Sequence, residues 1–181
     1  MSDISFEDRT VIVTGAGNGL GKAYAIELGN RGAKVVVNDL GGSVDGSGSG
    51  STPADEVVNE IIANGGEAVA NYDSVATKDG GEAIVQTAID SFGTVDAVIN
   101  NAGILRDKSF AKMTEEELSL IIDVHLKGTF FVSQPAFTVM KEKNYGRIVN
   151  VASPSGLFGN FGQSNYGAAK MGIVGLSLIH I

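Results

Sequence analysis

The chain of 181 residues is long enough for one domain with a buried core and too short for two of ordinary size, so residues 1–181 read as a single domain. Hydrophobic residues make up 43% and charged residues 19%, which is a globular composition; no apolar run reaches membrane-spanning length, and the absence of cysteine removes disulfides, thiolate metal sites and cysteine nucleophiles. A net charge of −8 argues against a nucleic-acid partner, and the start MSDISFEDRT, with an early acid and no apolar core, reads as neither a signal nor a transit peptide.

The first predicted strand, RTVIVTG at 9–15, runs through a glycine-rich turn into a helix at 19–31. A second strand, AKVVVND at 33–39, ends in Asp39 and is followed by GGSVDGSGSGST at 41–52. That composition reads as a flexible loop, although it adjoins the carboxyl end of a strand, where such sheets bind ligands. Thr52 as a capping residue, Pro53 in the first turn and Asp55 as an early acid open a helix at 53–64. The strand EAVANYD (67–73), a helix at 79–92 and the strand VDAVINN (95–101) follow. Thr114 with Glu117 forms a capping-box pattern at the start of a helix over 114–142. The triplet Glu115, Glu116, Glu117 then suits the positive end of the helix dipole and needs no catalytic role. The strand GRIVNVAS (146–153) and a helix at 164–178 complete the series.

Near-continuous apolar strands bounded by Gly, Asp and Asn are what a sheet buried on both faces requires. Alternation with helices predicts an α/β chain with a Rossmann-like, doubly wound parallel sheet and helices on both faces. Within TGAGNGLGKAYA, Gly15, Gly19 and Gly21 have the spacing G-x-x-x-G-x-G, while Leu20 breaks the commoner G-x-G-x-x-G pattern counted from Gly15. Such a turn brings backbone amides and a helix N-terminus against a pyrophosphate. Asp39 follows Gly21 by 18 residues, where a carboxylate accepts ribose hydroxyls and repels a 2′-phosphate, favouring NAD over NADP. The alternative is that Asp39 merely ends a strand. Asp73 is a weaker candidate for the adenine side.

Arg106, Lys108, Lys112, Lys127, Lys141, Lys143 and Arg147 are seven of the thirteen basic residues and cluster between 106 and 147. They are either an attraction for an anionic substrate or ordinary solvated helix faces. SNYGAAKMG places Tyr166 one turn before Lys170. A lysine at i+4 shares a helix face with the phenol and stabilises its anion, making a proton-transfer pair; as an isolated motif the same spacing fits an ordinary amphipathic helix.

In order along the chain, TGAGNGLG, NNAG at 100–103, Ser153 and Tyr166 with Lys170 resemble the short-chain dehydrogenase/reductase family, with Ser153 preceding Tyr166 by the 13 residues usual there. The resemblance implies that Tyr166 exchanges a proton with the substrate oxygen, Ser153 binds and orients that oxygen, and Lys170 assists the tyrosine and binds the nicotinamide ribose. It further implies NAD as cofactor, contacted by Gly15, Asn18, Gly19, Leu20, Gly21, Asp39, Asp73, Ser74, Asn101, Gly103, Tyr166 and Lys170, with no metal. DVHLKG puts His125 where the family usually has a catalytic asparagine, so its water-linked relay is in question, although an imidazole can supply the same bonds; a structural histidine is the alternative.

VVVNDLGG with its Gly/Ser loop, INNAGILRDKSF, DVHLKGTF and GNFGQSNYGAAK are similar to the dehydrogenase units of type 2 multifunctional enzymes of fatty-acid β-oxidation. The implied reaction is oxidation of (3R)-hydroxyacyl-CoA to 3-ketoacyl-CoA with NAD. Alternatives are a 3-ketoacyl reductase, a 17β-hydroxysteroid dehydrogenase, or a non-catalytic dinucleotide-binding protein. The small-molecule substrate is then an acyl-CoA thioester or a steroid. The resemblance implies a cytoplasmic location if the source is bacterial or a peroxisomal one if it is eukaryotic, and a homodimer or homotetramer for the complete protein. The family continues with further strands beyond the last helix, so the apolar end GLSLIHI reads as a truncated or altered terminus, with an unpaired sheet edge and poor solubility expected.

Overall fold

Five short β-branched runs pair into one parallel sheet: β1 (Thr10–Thr14), β2 (Lys34–Asn38), β3 (Glu67–Asn71), β4 (Ala97–Asn100) and β5 (Arg147–Asn150), in the order β3-β2-β1-β4-β5. The computed structural model describes residues 4–43, 45–48 and 50–177. The readings of the extreme N-terminus and of the last four positions of GLSLIHI therefore fall outside the described residues, as do two positions of the Gly/Ser segment.

Helices cover both faces of the sheet, as the unbroken apolar strands require. Val11, Val13, Val35 and Val37 pack with Ala25 of α1 (Gly19–Asn30) and with Val57 and Ile61 of α2 (Thr52–Ala63). Ile12, Val36 and Val98 face the other way, against Ile84 and Val85 of α3 (Lys78–Phe92) and Val132 and Ala136 of α5 (Gly128–Glu142). Alternate residues of β1 thus feed two separate cores. Strand order reverses between β1 and β4, and a crevice at the carboxyl ends of these strands is where doubly wound sheets bind ligands.

The predicted helix over 114–142 is three segments in succession: α4 (Glu115–Ile121), a π-helical stretch (Ile122–Lys127) and α5. Thr114 and Glu117 form both bonds of the expected capping box. The predicted cap of α2 shifts by one residue. Ser51 is the capping position and Thr52 the first helical residue, but Ser51 has helical dihedrals (φ −76°, ψ −30°) in place of extended ones and makes no side-chain cap bond.

The Gly/Ser segment is more than a featureless linker. Gly50 N donates to Leu40 O, Ser43 N donates to Ser47 O, and the Ser43 and Ser47 hydroxyls both donate to the Asp45 carboxylate. A short helix, α6 (Pro154–Phe158), precedes α7 (Ser164–Ser177), opened by the cap Ser153 followed by Pro154, where the sequence predicts only the strand end and a connection. β5 forms one edge of the sheet, with Val149 half exposed.

Candidate active site

The end of β1 is tied to the turn after β4 through a single threonine and a single asparagine. Thr14 Oγ1 accepts hydrogen bonds from the amides of Asn101 and Ala102, at 3.1 and 3.0 Å. Asn101 Nδ2 donates back to the carbonyls of Thr14 and Gly15, both at 3.0 Å. Gly15 has φ +62°, which glycine adopts without the strain that a Cβ brings. Gly21 is required for space: a Cβ there would stand 2.1 Å from the Gly15 carbonyl oxygen and 2.5 Å from Asn101 Nδ2.

These contacts place the N-terminus of α1 against the crevice. Asn18, its capping residue, makes no side-chain cap bond, and the first turn contains no acid. The amides of that turn thus have neither a side-chain cap nor a competing carboxylate, which suits an anionic phosphate. Nothing stands within 4 Å of a Cβ built on Gly19, and Leu20 is exposed. Asp39 Oδ2 accepts from Gly17 N at 2.8 Å and Oδ1 from Gly41 N at 2.7 Å, so the carboxylate is held at the mouth of the loop with lone pairs to spare for hydroxyl donors. Lys22, the nearest cation in sequence, pairs with Glu60 at 2.9 Å, and among the described residues Asp39 has no basic partner. The residues present therefore fit a nicotinamide dinucleotide, with its phosphates at the α1 N-terminus and a carboxylate beside them.

Asp73 and Ser74 lie beyond the carboxyl end of β3, where no hydrogen bond among the described residues links either to the glycine turn. The Asp73 carboxylate accepts from Asn71 Nδ2 at 2.7 Å, and Ser74 Oγ accepts from Ala76 N at 3.2 Å. A set of residues that the sequence reading passed over joins neighbouring strand ends. Asn38 Nδ2 donates to Asn71 Oδ1 at 2.8 Å, and Asn100 Nδ2 donates to Asn150 Oδ1 at 2.9 Å and to Ser133 Oγ at 2.8 Å. Their signal in the sequence is an asparagine closing each of four apolar runs, which in-register parallel pairing sets side by side.

Tyr166 and Lys170 share α7 as the spacing predicts, but Lys170 is only 4% exposed. Its ammonium donates to the Val151 carbonyl at 2.7 Å and stands 5.6 Å from the centre of the Tyr166 ring. Burial pulls the lysine down to a pKa of about 8. His125 lies in the π-helical stretch, 2% exposed, with its ring edge-on to Tyr166 at 5.1 Å between centroids. Nε2 lies 2.8 Å from the Ile104 carbonyl oxygen, and Nδ1 is buried with no hydrogen-bond partner. Burial first, and then the positive charge of Lys170, hold His125 down at about 4, so the ring is neutral at physiological pH. A Cβ on Gly103 would come within 2.4 Å of His125 Cε1, so that glycine makes room for the imidazole.

Ser153 caps α6, its Oγ accepting from Ser155 N at 3.2 Å. α6 packs closely on α7: a Cβ on Gly156 would stand 2.9 Å from Met171 N. No hydrogen bond among the described residues joins Ser153 directly to Tyr166. The basic cluster is partly consumed by ion pairs, with Lys108 beside Glu117, Lys127 beside Asp123 and Lys143 beside Asp96. Among the described residues no helix is long and apolar enough to cross a membrane.

The short chain dehydrogenase family model matches residues 9–179. The chain is 62% identical to peroxisomal multifunctional enzyme A of Dictyostelium discoideum over 96% of its own length and 39% of that protein. It is 56% identical to mouse (Mus musculus) peroxisomal multifunctional enzyme type 2, over 97% of this chain and 23% of the relative. A crystal structure of a short chain dehydrogenase from Mycobacterium avium superposes with a TM-score of 0.88 at 47% identity, covering 96% of this chain and 62% of that one. This chain thus spans less than two fifths of the two multifunctional relatives. With its parallel sheet, glycine turn and family match, the chain belongs to the short-chain dehydrogenase family of oxidoreductases.

Proposed function

We propose that this chain is an NAD-dependent dehydrogenase unit that oxidises the secondary alcohol of a (3R)-hydroxyacyl-CoA to the 3-ketoacyl-CoA. The observation that carries the chemistry is the buried Lys170 ammonium, held by the Val151 carbonyl over the face of Tyr166. The choice of substrate rests on the multifunctional enzymes that the chain resembles, whose peroxisomal names also favour a peroxisomal location if the source is eukaryotic.

NAD, when bound, supplies the hydride acceptor. Gly15, Asn18, Gly19, Leu20 and Gly21 would hold its pyrophosphate at the α1 N-terminus, Asp39 its adenosine ribose, and Asp73 with Ser74 the adenine side. Asn101 and Gly103 would flank the nicotinamide, and Lys170 would reach its ribose. At the reacting carbon, Tyr166 takes the proton of the substrate hydroxyl as the carbon–hydrogen bond breaks. Lys170 supplies positive charge beside the phenol, which favours its anion during the transfer. Ser153 donates its hydroxyl to the same substrate oxygen and orients it. His125 stands in for the usual asparagine: its partnerless Nδ1 is the ring nitrogen left free for a water-linked relay to Lys170. The same groups return a proton in the reductive direction, so a ketoacyl reductase would use the same site.

Turnover of (3R)- and (3S)-3-hydroxydecanoyl-CoA by the full protein, followed by NADH absorbance, tests the reading. Oxidation of the 3R isomer is expected, and preference for the 3S isomer overturns the substrate assignment. Asp39→Ala is expected to move the NAD-to-NADP preference by about 10- to 100-fold toward NADP, the scale of one lost charge-dependent contact. Unchanged discrimination would remove Asp39 from the ribose.

A further inference from the structure

We propose that Gln163 is a positioning residue for Ser153, acting through Ser155 to leave the Ser153 hydroxyl proton free for the substrate oxygen. The inference rests on the dehydrogenase reading given above. Ser153 and Tyr166 must meet one substrate oxygen, yet no direct hydrogen bond sets their separation. What spans them is a network between the loop after β4 and the start of α7.

Three consecutive residues of that loop are stitched to the residues leading into Tyr166. The Arg106 carbonyl accepts from Asn165 Nδ2 at 3.1 Å, the Asp107 carboxylate accepts from Gln163 Nε2 at 2.9 Å, and Lys108 N donates to the Gly162 carbonyl at 2.8 Å. Asn165 is 1% exposed; its Nδ2 also reaches the Glu117 carbonyl at 3.2 Å, and its Oδ1 accepts from the Tyr166 amide at 2.8 Å. Gln163 is the member of this network that reaches the serine side. Its carbonyl oxygen Oε1 accepts from the Ser155 hydroxyl at 2.8 Å and from Asn160 Nδ2 at 3.0 Å, while its backbone carbonyl accepts from Gly167 N at 2.7 Å in the first turn of α7.

The direction of these bonds is forced. A carboxylate only accepts, so Asp107 turns the NH2 of the Gln163 amide toward itself and the amide oxygen toward Ser155. The single hydroxyl proton of Ser155 is then spent on Gln163. The Ser155 backbone amide donates to Ser153 Oγ at 3.2 Å, which occupies a lone pair of that oxygen and leaves its own O–H as the donor to the substrate. Gly167 packs against the same residue, since a Cβ there would stand 2.9 Å from the Ser155 carbonyl oxygen. Among the described residues no side-chain hydrogen bond joins Gln163 to a group assigned to the cofactor, and the residue is only partly buried, so its replacement is expected to leave the fold intact.

The test uses the full protein with (3R)-3-hydroxydecanoyl-CoA and NAD. Gln163→Ala is expected to lower kcat about 10- to 100-fold, the cost of misplacing a catalytic group by a fraction of an ångström, with the Kd for NAD within about twofold. Because the effect runs through Ser153, the same substitution in a Ser153→Ala background should change kcat by less than about twofold. Gln163→Glu places a carboxylate against Asp107 and should behave like Gln163→Ala. Adding Asp107→Asn to it recreates an amide–carboxylate bond of reversed polarity and should restore most of the rate. Equal losses of kcat in the Ser153 and Ser153→Ala backgrounds would overturn the inference, as would a fall in NAD affinity matching the fall in kcat, which marks a structural role. Full turnover in Gln163→Ala beside a slow Ser153→Ala also overturns it, while the dehydrogenase reading stands. A wild-type protein that does not oxidise the probe overturns both.

Discussion

The half of the crevice proposed for the cofactor and the half proposed for catalysis are built differently. Around β1 each piece is held by backbone groups: Gly21 against the Gly15 carbonyl, Asp39 between two amides, Asn101 on two carbonyls. Around α7 the pieces are side chains from separate segments: His125 from the π-helical stretch, Ser153 from the cap of α6, Tyr166 and Lys170 from α7, with Gly103 after β4 making room. The first half lies at the sheet centre, whereas the second adjoins the edge strand β5 and the exposed Phe158 and Phe161. Binding a phosphate needs amides and space, which a short turn encodes. Moving a proton needs side chains stripped of water, which only assembly produces, and the lowered pKa values of Lys170 and His125 are the mark of it.

Each half should therefore fail in its own way. The largest effect expected is that of Tyr166→Phe, which removes the proposed proton acceptor and should lower kcat about 10³-fold with NAD affinity nearly intact; a matching loss of NAD affinity would merge the two halves. His125 comes next. Its pKa of about 4 in the folded chain lies below the ordinary 6.5, so on acidification the unfolded state takes up the proton first. The stability it contributes is fully present above about pH 6.5 and is lost as pH falls toward 4, by about 3 kcal/mol. Urea unfolding of His125→Asn across that range should show a correspondingly flatter dependence, and an unchanged slope would mean that the buried imidazole is not what titrates. Gly21→Ala should have the smallest effect: overpacking the turn by about 1–3 kcal/mol should weaken NAD about 10- to 100-fold in calorimetric titration. With NAD saturating, kcat of Gly21→Ala should stay near wild type, since the substitution leaves Ser153, Tyr166 and Lys170 in place.

Apolar runs such as TVIVT and KVVVN made the parallel sheet legible, because a strand buried on both faces leaves few other solutions for so many consecutive β-branched residues. The capping box at Thr114 was legible because both of its bonds lie within one turn. The shift of the α2 cap to Ser51 was not, since it depends on the dihedral angles of one residue entering from a loop. The π-helical stretch was equally hidden: periodicity predicts one helix, and the insertion that brings His125 beside Gly103 and Tyr166 changes no residue type. The paired strand-end asparagines carry meaning only once the register is known, because Asn38 and Asn71 are 33 positions apart.

From the amino-acid order alone come the sheet, the glycine turn, the acid after β2 and the one-turn spacing of Tyr166 and Lys170, because each depends on neighbours within a few residues or on the period of an element. The neutral state of His125, the buried ammonium on the Val151 carbonyl and the link from Asp107 through Gln163 to Ser153 come from packing segments distant in sequence. Desolvation and hydrogen-bond direction are properties of that packed arrangement, and no local pattern of residues specifies them.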